Sequence, residues 1–184
     1  MRTAPQPIEI RIWSAEWAGQ FEAKASTIRS ALGEHAARID HVGSTAIEGL
    51  DAKPIIDIQI SVTDLQSIDL LAERLATVGY VWRRLNPDLT KRYFREAPGT
   101  ERTHIHVRGL GSWSEQWTLL FRDYMRAHVH EHAPLAEIKR GLARQYRDDR
   151  AAYTEAKSDH LWAIMRRADR WAAQTGWRPG PSDA

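Results

Sequence analysis

The stretch His41–Ile60, HVGSTAIEGLDAKPIIDIQI, joins a Gly-Ser turn to an apolar run with a single acid at its centre. After Pro54, residues Ile55, Ile56, Ile58, Ile60 and Val62 are β-branched, a composition that favours a strand. Alternation along a strand sets Ile56, Ile58, Ile60 and Val62 on one face and Ile55, Asp57, Gln59 and Ser61 on the other. Asp57 and Gln59 therefore project side by side from a segment otherwise built for a core. An unpaired carboxylate is costly to bury, so Asp57 is not filler.

Ser44 stands thirteen positions before Asp57, preceded by Gly43 and by a strand-like segment, Arg38–Val42. A Gly-Ser turn between a strand and a short helix presents backbone N–H groups and a hydroxyl, a common way to hold phosphate oxygens. Gly43, Ser44 and Thr45 are thus candidate phosphate ligands. Gly-Ser followed at this distance by an acid on the next strand resembles the signature of the polymerase-β-like nucleotidyltransferases. The fuller string HVGSTAIEGLDAKPIIDI is similar to the GrpB family, a branch of that superfamily. Further matches to the family are KRYF, HIHV, FRDYMRAH and AYTEAK, so the resemblance runs from about Ile8 to Trp171.

The resemblance implies an α/β (α+β) fold with a small mixed sheet of the nucleotidyltransferase type, packed helices and a helical C-terminal part. It also implies Mg²⁺ or Mn²⁺ held by carboxylates, which clamps the triphosphate of a nucleotide. Asp57 fits that role. Gln59 stands where the superfamily has a second carboxylate, and a neutral amide oxygen holds such an ion weakly. His104 and His106 lie two apart on one strand face. If that strand neighbours the one carrying Asp57, an imidazole can take the third ligand position or act as a general base. Asp57 with the two histidines also suits Zn²⁺. Arg92, set on the side of its strand away from Phe94, and Lys157, one helical turn after Tyr153, are further candidates for phosphate. Lys53 reads as a solvated surface lysine. The tract His128, His130, His132 resembles a metal tract by composition, but lies in a helix-to-helix link where solvent exposure is the plainer reading.

Outward from this centre, residues 1–7 form an arm with two prolines, and Ile8, Ile10 and Ile12 alternate like an edge strand. Ser14 is a candidate N-cap for a helix with the stripe Trp17, Phe21, Ala25, Ile28, Leu32, with Trp13 as its hydrophobic staple. Asp64 is placed to cap a second helix ending at Gly79, followed by a strand over Tyr80–Leu85. Lys91–Glu96 and Thr103–Arg108 flank Ala97-Pro98-Gly99-Thr100 as a hairpin. A helix from Ser112 or Ser114 carries Trp113, Trp117, Leu120, Phe121, Tyr124 and Met125 on its buried side. A second, opening near Pro134, carries Leu135, Ile138, Leu142 and Tyr146, and a last one runs from about Arg150 to Trp171. Residues 1–175 read as one domain and 176–184 as a loose tail.

The eight tryptophans recur at helical spacing, so core packing is expected of most of them. A formal charge of +2 over 184 residues argues against nucleic acid as partner. The chain has no cysteine, which fits a reducing cytoplasm. No apolar run approaches about 18 residues, so no membrane partner is expected. The functional expectation is binding of a nucleotide or phosphorylated small molecule with a divalent metal, and transfer of a nucleoside monophosphate to a hydroxyl. Two alternatives stand beside it: a non-catalytic ligand- or partner-binding module of the same fold, and a metal-dependent hydrolase using Asp57 with His104 and His106.

Overall fold

The computed structural model describes residues 7–184; the proline arm, but for Pro7, lies outside them. The β-branched run after Pro54 forms β2 (Ile56–Val62), paired antiparallel with β1 (Arg38–Val42) and parallel with β5 (Thr103–Gly109). β4 (Arg92–Glu96) continues the sheet antiparallel to β5, and β3 (Tyr80–Trp82) closes it, in the order β1-β2-β5-β4-β3. This is the expected mixed α/β architecture, and the hairpin falls where it was read. β3 is shorter than its sequence suggested, and Leu85 beyond it is 98% exposed.

One face of the sheet carries the predicted apolar set. Ile56, Ile58, Ile60 and Val62 pack with Phe94, Ile105 and Val107 against α1 (Glu16–Leu32) and α2 (Ile68–Thr77). The stripe of α1 is buried as its spacing dictates, from Trp17 to Leu32. Its start lies two residues past Ser14, whose Oγ accepts the Glu16 N–H at 3.3 Å. Asp64 does not cap α2. Its carboxylate accepts the Gln66 N–H at 2.8 Å and the Ser67 hydroxyl, a local turn that delays the helix to Ile68.

The opposite face looks toward α3 (Trp113–Ala127), α4 (His132–Gln145) and α5 (Arg150–Thr175). These three helices share a second core with Ile47 and Leu50 of the loop after the Gly-Ser turn. Ser112 and Glu115 start α3 reciprocally: Ser112 Oγ accepts the Glu115 N–H, and the Glu115 carboxylate accepts the Gly111 N–H at 2.7 Å. None of the described helices is long and apolar enough to cross a membrane.

Several expectations are corrected here. Ile8, Ile10 and Ile12 make no strand; the segment forms one bridge, Arg11 to Ala52. The tail is not loose. The Ile39 and His41 N–H groups donate to Ser182 Oγ and Asp183 Oδ2, both at 2.8 Å, and the Ala184 N–H donates back to the Ile39 carbonyl. Short polar side chains thus occupy the open edge of β1. Of the His tract only His130 is exposed. His132 is buried at the start of α4 with Nε2 2.8 Å from the Met125 carbonyl, and the His128 ring stacks on Tyr124. Among the tryptophans Trp17 is buried, whereas Trp113 is 67% and Trp162 47% exposed.

Candidate functional site

The parallel register sets Asp57 beside His104 and Gln59 beside His106, on the sheet face turned to the C-terminal helices. Asp57 Oδ1 lies 3.2 Å from His104 Nδ1 and 3.2 Å from His106 Nε2, so one carboxylate oxygen sits between two imidazoles. Ligand atoms of the three residues lie within 4.8 Å of one another, a spacing that can hold a metal ion. Burial works to raise the Asp57 pKa, but the two histidine hydrogen bonds outweigh it and hold the carboxyl well below the usual range. Tyr93, opposite His106 on β4, packs within 5.5 Å of both imidazole rings.

The other Asp57 oxygen faces the Gly-Ser turn. Gly43 has φ +72°, and a Cβ on it would lie 2.7 Å from Asp57 Oδ2. Conformation and contact each call for glycine here, which locks the turn against the carboxylate. Ser44 then opens a single 3₁₀ turn. Its Oγ accepts from Lys139 Nζ at 2.7 Å, and the same ammonium donates to the Asp51 carbonyl at 2.9 Å.

Lys139, Lys53 and Lys157 converge on this cleft. Burial, reinforced by Lys157 and Lys53, pushes the Lys139 amine well below its ordinary pKa despite Asp51. Burial and then Lys157 lower Lys53 to about 8, with its Nζ 4.3 Å from the Tyr153 ring centre. Lys157 is lowered by burial, against the pull of Asp57. Three desolvated amines around one carboxylate leave the cleft short of negative charge, a setting that draws an anion. The cavity holds about 610 Å³. A larger hollow of about 1010 Å³ lies across the Ser44–Asp51 loop; it shares Thr45 but includes none of Asp57, His104 or His106.

Gly43, Ser44, Thr45, Asp57, His104, His106 and Lys157 all line the smaller cavity. Thr45 is buried, and its hydroxyl is engaged, donating to the Ile55 carbonyl and accepting from His41 Nε2. Gln59 is not among the lining residues. It is fully buried, with its amide nitrogen donating to the Glu115 carbonyl at 3.4 Å. Arg92 is not there either. Register pairs it with Val107, so strand alternation sets it on the side of Phe94, and its guanidinium donates to the Leu89 carbonyl at 3.1 Å. The residue on the cleft side is its neighbour Tyr93. Lys53, read as solvated, is part of the cleft. Lys139 was missed: Leu135, Lys139 and Ala143 share the buried face of α4, one step from the Leu135, Ile138, Leu142 stripe.

Residues 7–167 match the family model described as GrpB protein. Relatives include the UPF0157 protein PA4798 of Pseudomonas aeruginosa, 39% identical over 88% of this chain and 67% of that protein. A dephospho-CoA kinase of Mycobacterium leprae is 32% identical over 88% of this chain but 46% of its own length. The chain thus spans under half of that kinase, as it does of the Bacillus subtilis UPF0157 protein YqkA, of which it covers 48%. Among solved structures, the conserved protein GrpB of Enterococcus faecalis superposes with a TM-score of 0.81 at 27% identity, covering 89% of this chain and 99% of that one. A family match that takes in the turn, the Asp57 strand, the histidine strand and both lysine helices shows that the chain belongs to the GrpB family.

Proposed function

We propose that this cleft binds a nucleotide or another phosphorylated small molecule together with one divalent metal ion. A single observation carries the reading: one carboxylate bracketed by two imidazoles faces a Gly-Ser turn and three desolvated lysines. The donor set decides the ion. Mg²⁺ prefers an octahedron of oxygens, and this site offers one carboxylate and two ring nitrogens. Gln59 adds nothing to it, since its amide is turned to Glu115. Asp57, His104 and His106 therefore suit Mn²⁺ or Zn²⁺ better than a pair of Mg²⁺ ions.

The chain's own groups supply the rest. Gly43 permits the close approach of the turn, and the Ser44 hydroxyl, held by Lys139, meets a phosphate oxygen. Lys53, Lys139 and Lys157 gain an opposite charge to pair with when the anion enters, which offsets the burial that lowers their pKa values. A divalent ion at the cluster would supply Lewis-acid charge to a phosphoryl oxygen, as transfer of a nucleoside monophosphate to a hydroxyl requires. One observation favours a purely binding role for the same cleft: the second carboxylate position is an amide committed to the helix above it.

Calorimetric titration of the folded protein with ATP, CTP, GTP, UTP and dephospho-CoA tests the reading, without metal and with Mg²⁺, Mn²⁺ or Zn²⁺. Dephospho-CoA is included because of the kinase relative. Binding is expected to need Mn²⁺ or Zn²⁺, to vanish in Asp57→Ala and to weaken in Lys139→Met. Absence of binding for every ligand and ion would end the proposal.

A further inference from the structure

The larger hollow, about 1010 Å³ on the far side of the Ser44–Asp51 loop, has polar groups of its own that the cleft does not use. Small residues keep it open: Ala18 on α1, Ala46 and Gly49 in the loop, and Ala133 and Ala136 on α4. Two histidines in its wall are more than nine-tenths buried, His41 at 5% and His132 at 6% exposure. Their hydrogen bonds decide which nitrogen is spare. Thr45 gives its hydroxyl proton to the Ile55 carbonyl, so His41 Nε2 is the donor in its bond to Thr45. His132 Nε2 donates to the Met125 carbonyl. Each Nδ1 is left without a partner among the described residues, and in the neutral ring that nitrogen is an acceptor. His132 Nδ1 faces Gly49, where an added Cβ would lie 3.6 Å away.

The charges around the hollow are equal in number, and half of them are unpaired. Arg140 pairs with the Asp51 carboxylate. Arg126 makes one side-chain hydrogen bond, from Nε to the Ala46 carbonyl at 2.9 Å, and no ion pair among the described residues. Glu48 has no side-chain partner among them either, so these two opposite charges stand apart across one cavity. We infer that the hollow is a binding site for a small zwitterion with an apolar side chain, an α-amino acid or a dipeptide. Its carboxylate takes the open fork of Arg126. Its ammonium donates to the two Nδ1 atoms, with Glu48 as the opposite charge, and its side chain packs on Trp13, Val129 and the alanines. A net anion would leave Glu48 unanswered and a net cation would leave Arg126 so, whereas a ligand carrying both charges satisfies each. The volume is near the upper end of the range of about 300–1,000 Å³ usual for ligand pockets, so two residues fit as readily as one. Thr45 is the one lining residue that the hollow shares with the Asp57 cleft, so the inference stands apart from the phosphate-binding reading.

The test is calorimetric titration of the full chain with L-leucine, L-leucyl-L-leucine, L-leucinamide and 4-methylpentanoate. The last two lack the carboxylate and the ammonium respectively. Wild type should bind at least one zwitterion, and should hold either single-charge analogue more weakly by about tenfold or more, the worth of a hydrogen bond to a charged group. Arg126→Gln should abolish the preference for the zwitterion over the amide. Ala133 is exposed, so Ala133→Phe fills the hollow without entering the core and should abolish binding while the thermal melt stays cooperative. Three results would each overturn the inference: no binding of either zwitterion, equal affinity for zwitterions and analogues, or full affinity in Ala133→Phe. A preference that survives in Arg126→Gln would overturn the role given to that guanidinium.

Discussion

The His41 imidazole lies flat on Phe21, planes 3° apart and centres 4.7 Å apart, and its Nε2 donates to Thr45 Oγ1. Burial, then the Arg126 charge, lowers its pKa from 6.5 to about 4. A histidine that folding deprotonates binds more protons unfolded, so its contribution is whole above pH 6.5 and declines as pH falls toward 4. Between pH 7 and pH 5 wild type should lose on the order of 2 kcal/mol more stability than His41→Leu. Urea unfolding at both pH values measures it, and parallel losses in the two proteins would refute it. At this scale the sequence was most informative where chemistry is rare. Asp57 stood out as an acid in an apolar run, and His104 and His106 as paired imidazoles on one face. It was least informative for lysine, since Lys53 and Lys139 differ from surface lysines only in what covers them. Arg92 failed for a one-residue reason, because parity along β4 hands the cleft to Tyr93.

Elements were legible where their signals are local. β2 declared itself by β-branching, the β4–β5 hairpin by its turn and α1 by its stripe. The pairing that builds the site, β2 beside β5 in parallel, joins residues 47 apart and leaves no local mark. The phase of α4 was misread because Leu135, Ile138 and Leu142 mimic a stripe while Lys139 holds the buried face. α5 depends on a visible device: Asp149 accepts the Ala151 and Ala152 N–H groups at 3.1 and 3.0 Å, capping the helix that carries Tyr153 and Lys157. Asp149→Ala should destabilise the protein by about 1 kcal/mol, and Asp149→Asn by much less. Chemical denaturation of the two variants checks this, and equal losses would show that charge rather than capping matters there.

At the level of the whole molecule the terminal segment acts as a strap across β1. Asp183 accepts the His41 N–H and pairs with Arg122 at 2.9 Å. Arg122 is buried and also contacts Asp40, which is fully buried and paired with Arg38. Asp183→Ala leaves an edge N–H and a buried guanidinium short of a partner, and should cost about 1–3 kcal/mol. A fall in urea midpoint checks it, and an unchanged midpoint would mean that water replaces the carboxylate. Composition alone, with Gly, Pro and Ser, could not announce this strap, because its partners lie some 140 residues away on β1. The cleft is likewise assembled from distant parts. Asp57 meets His104 across 47 residues, and Ser44 meets Lys139 across 95. Such contacts close long loops and reward the chain only once those loops are closed. A ligand that recognises the finished cleft therefore has little to grip in the transition state for folding. Its effect falls on the lifetime of the native protein: unfolding slows as the cleft fills, and the rate of refolding stays as it was.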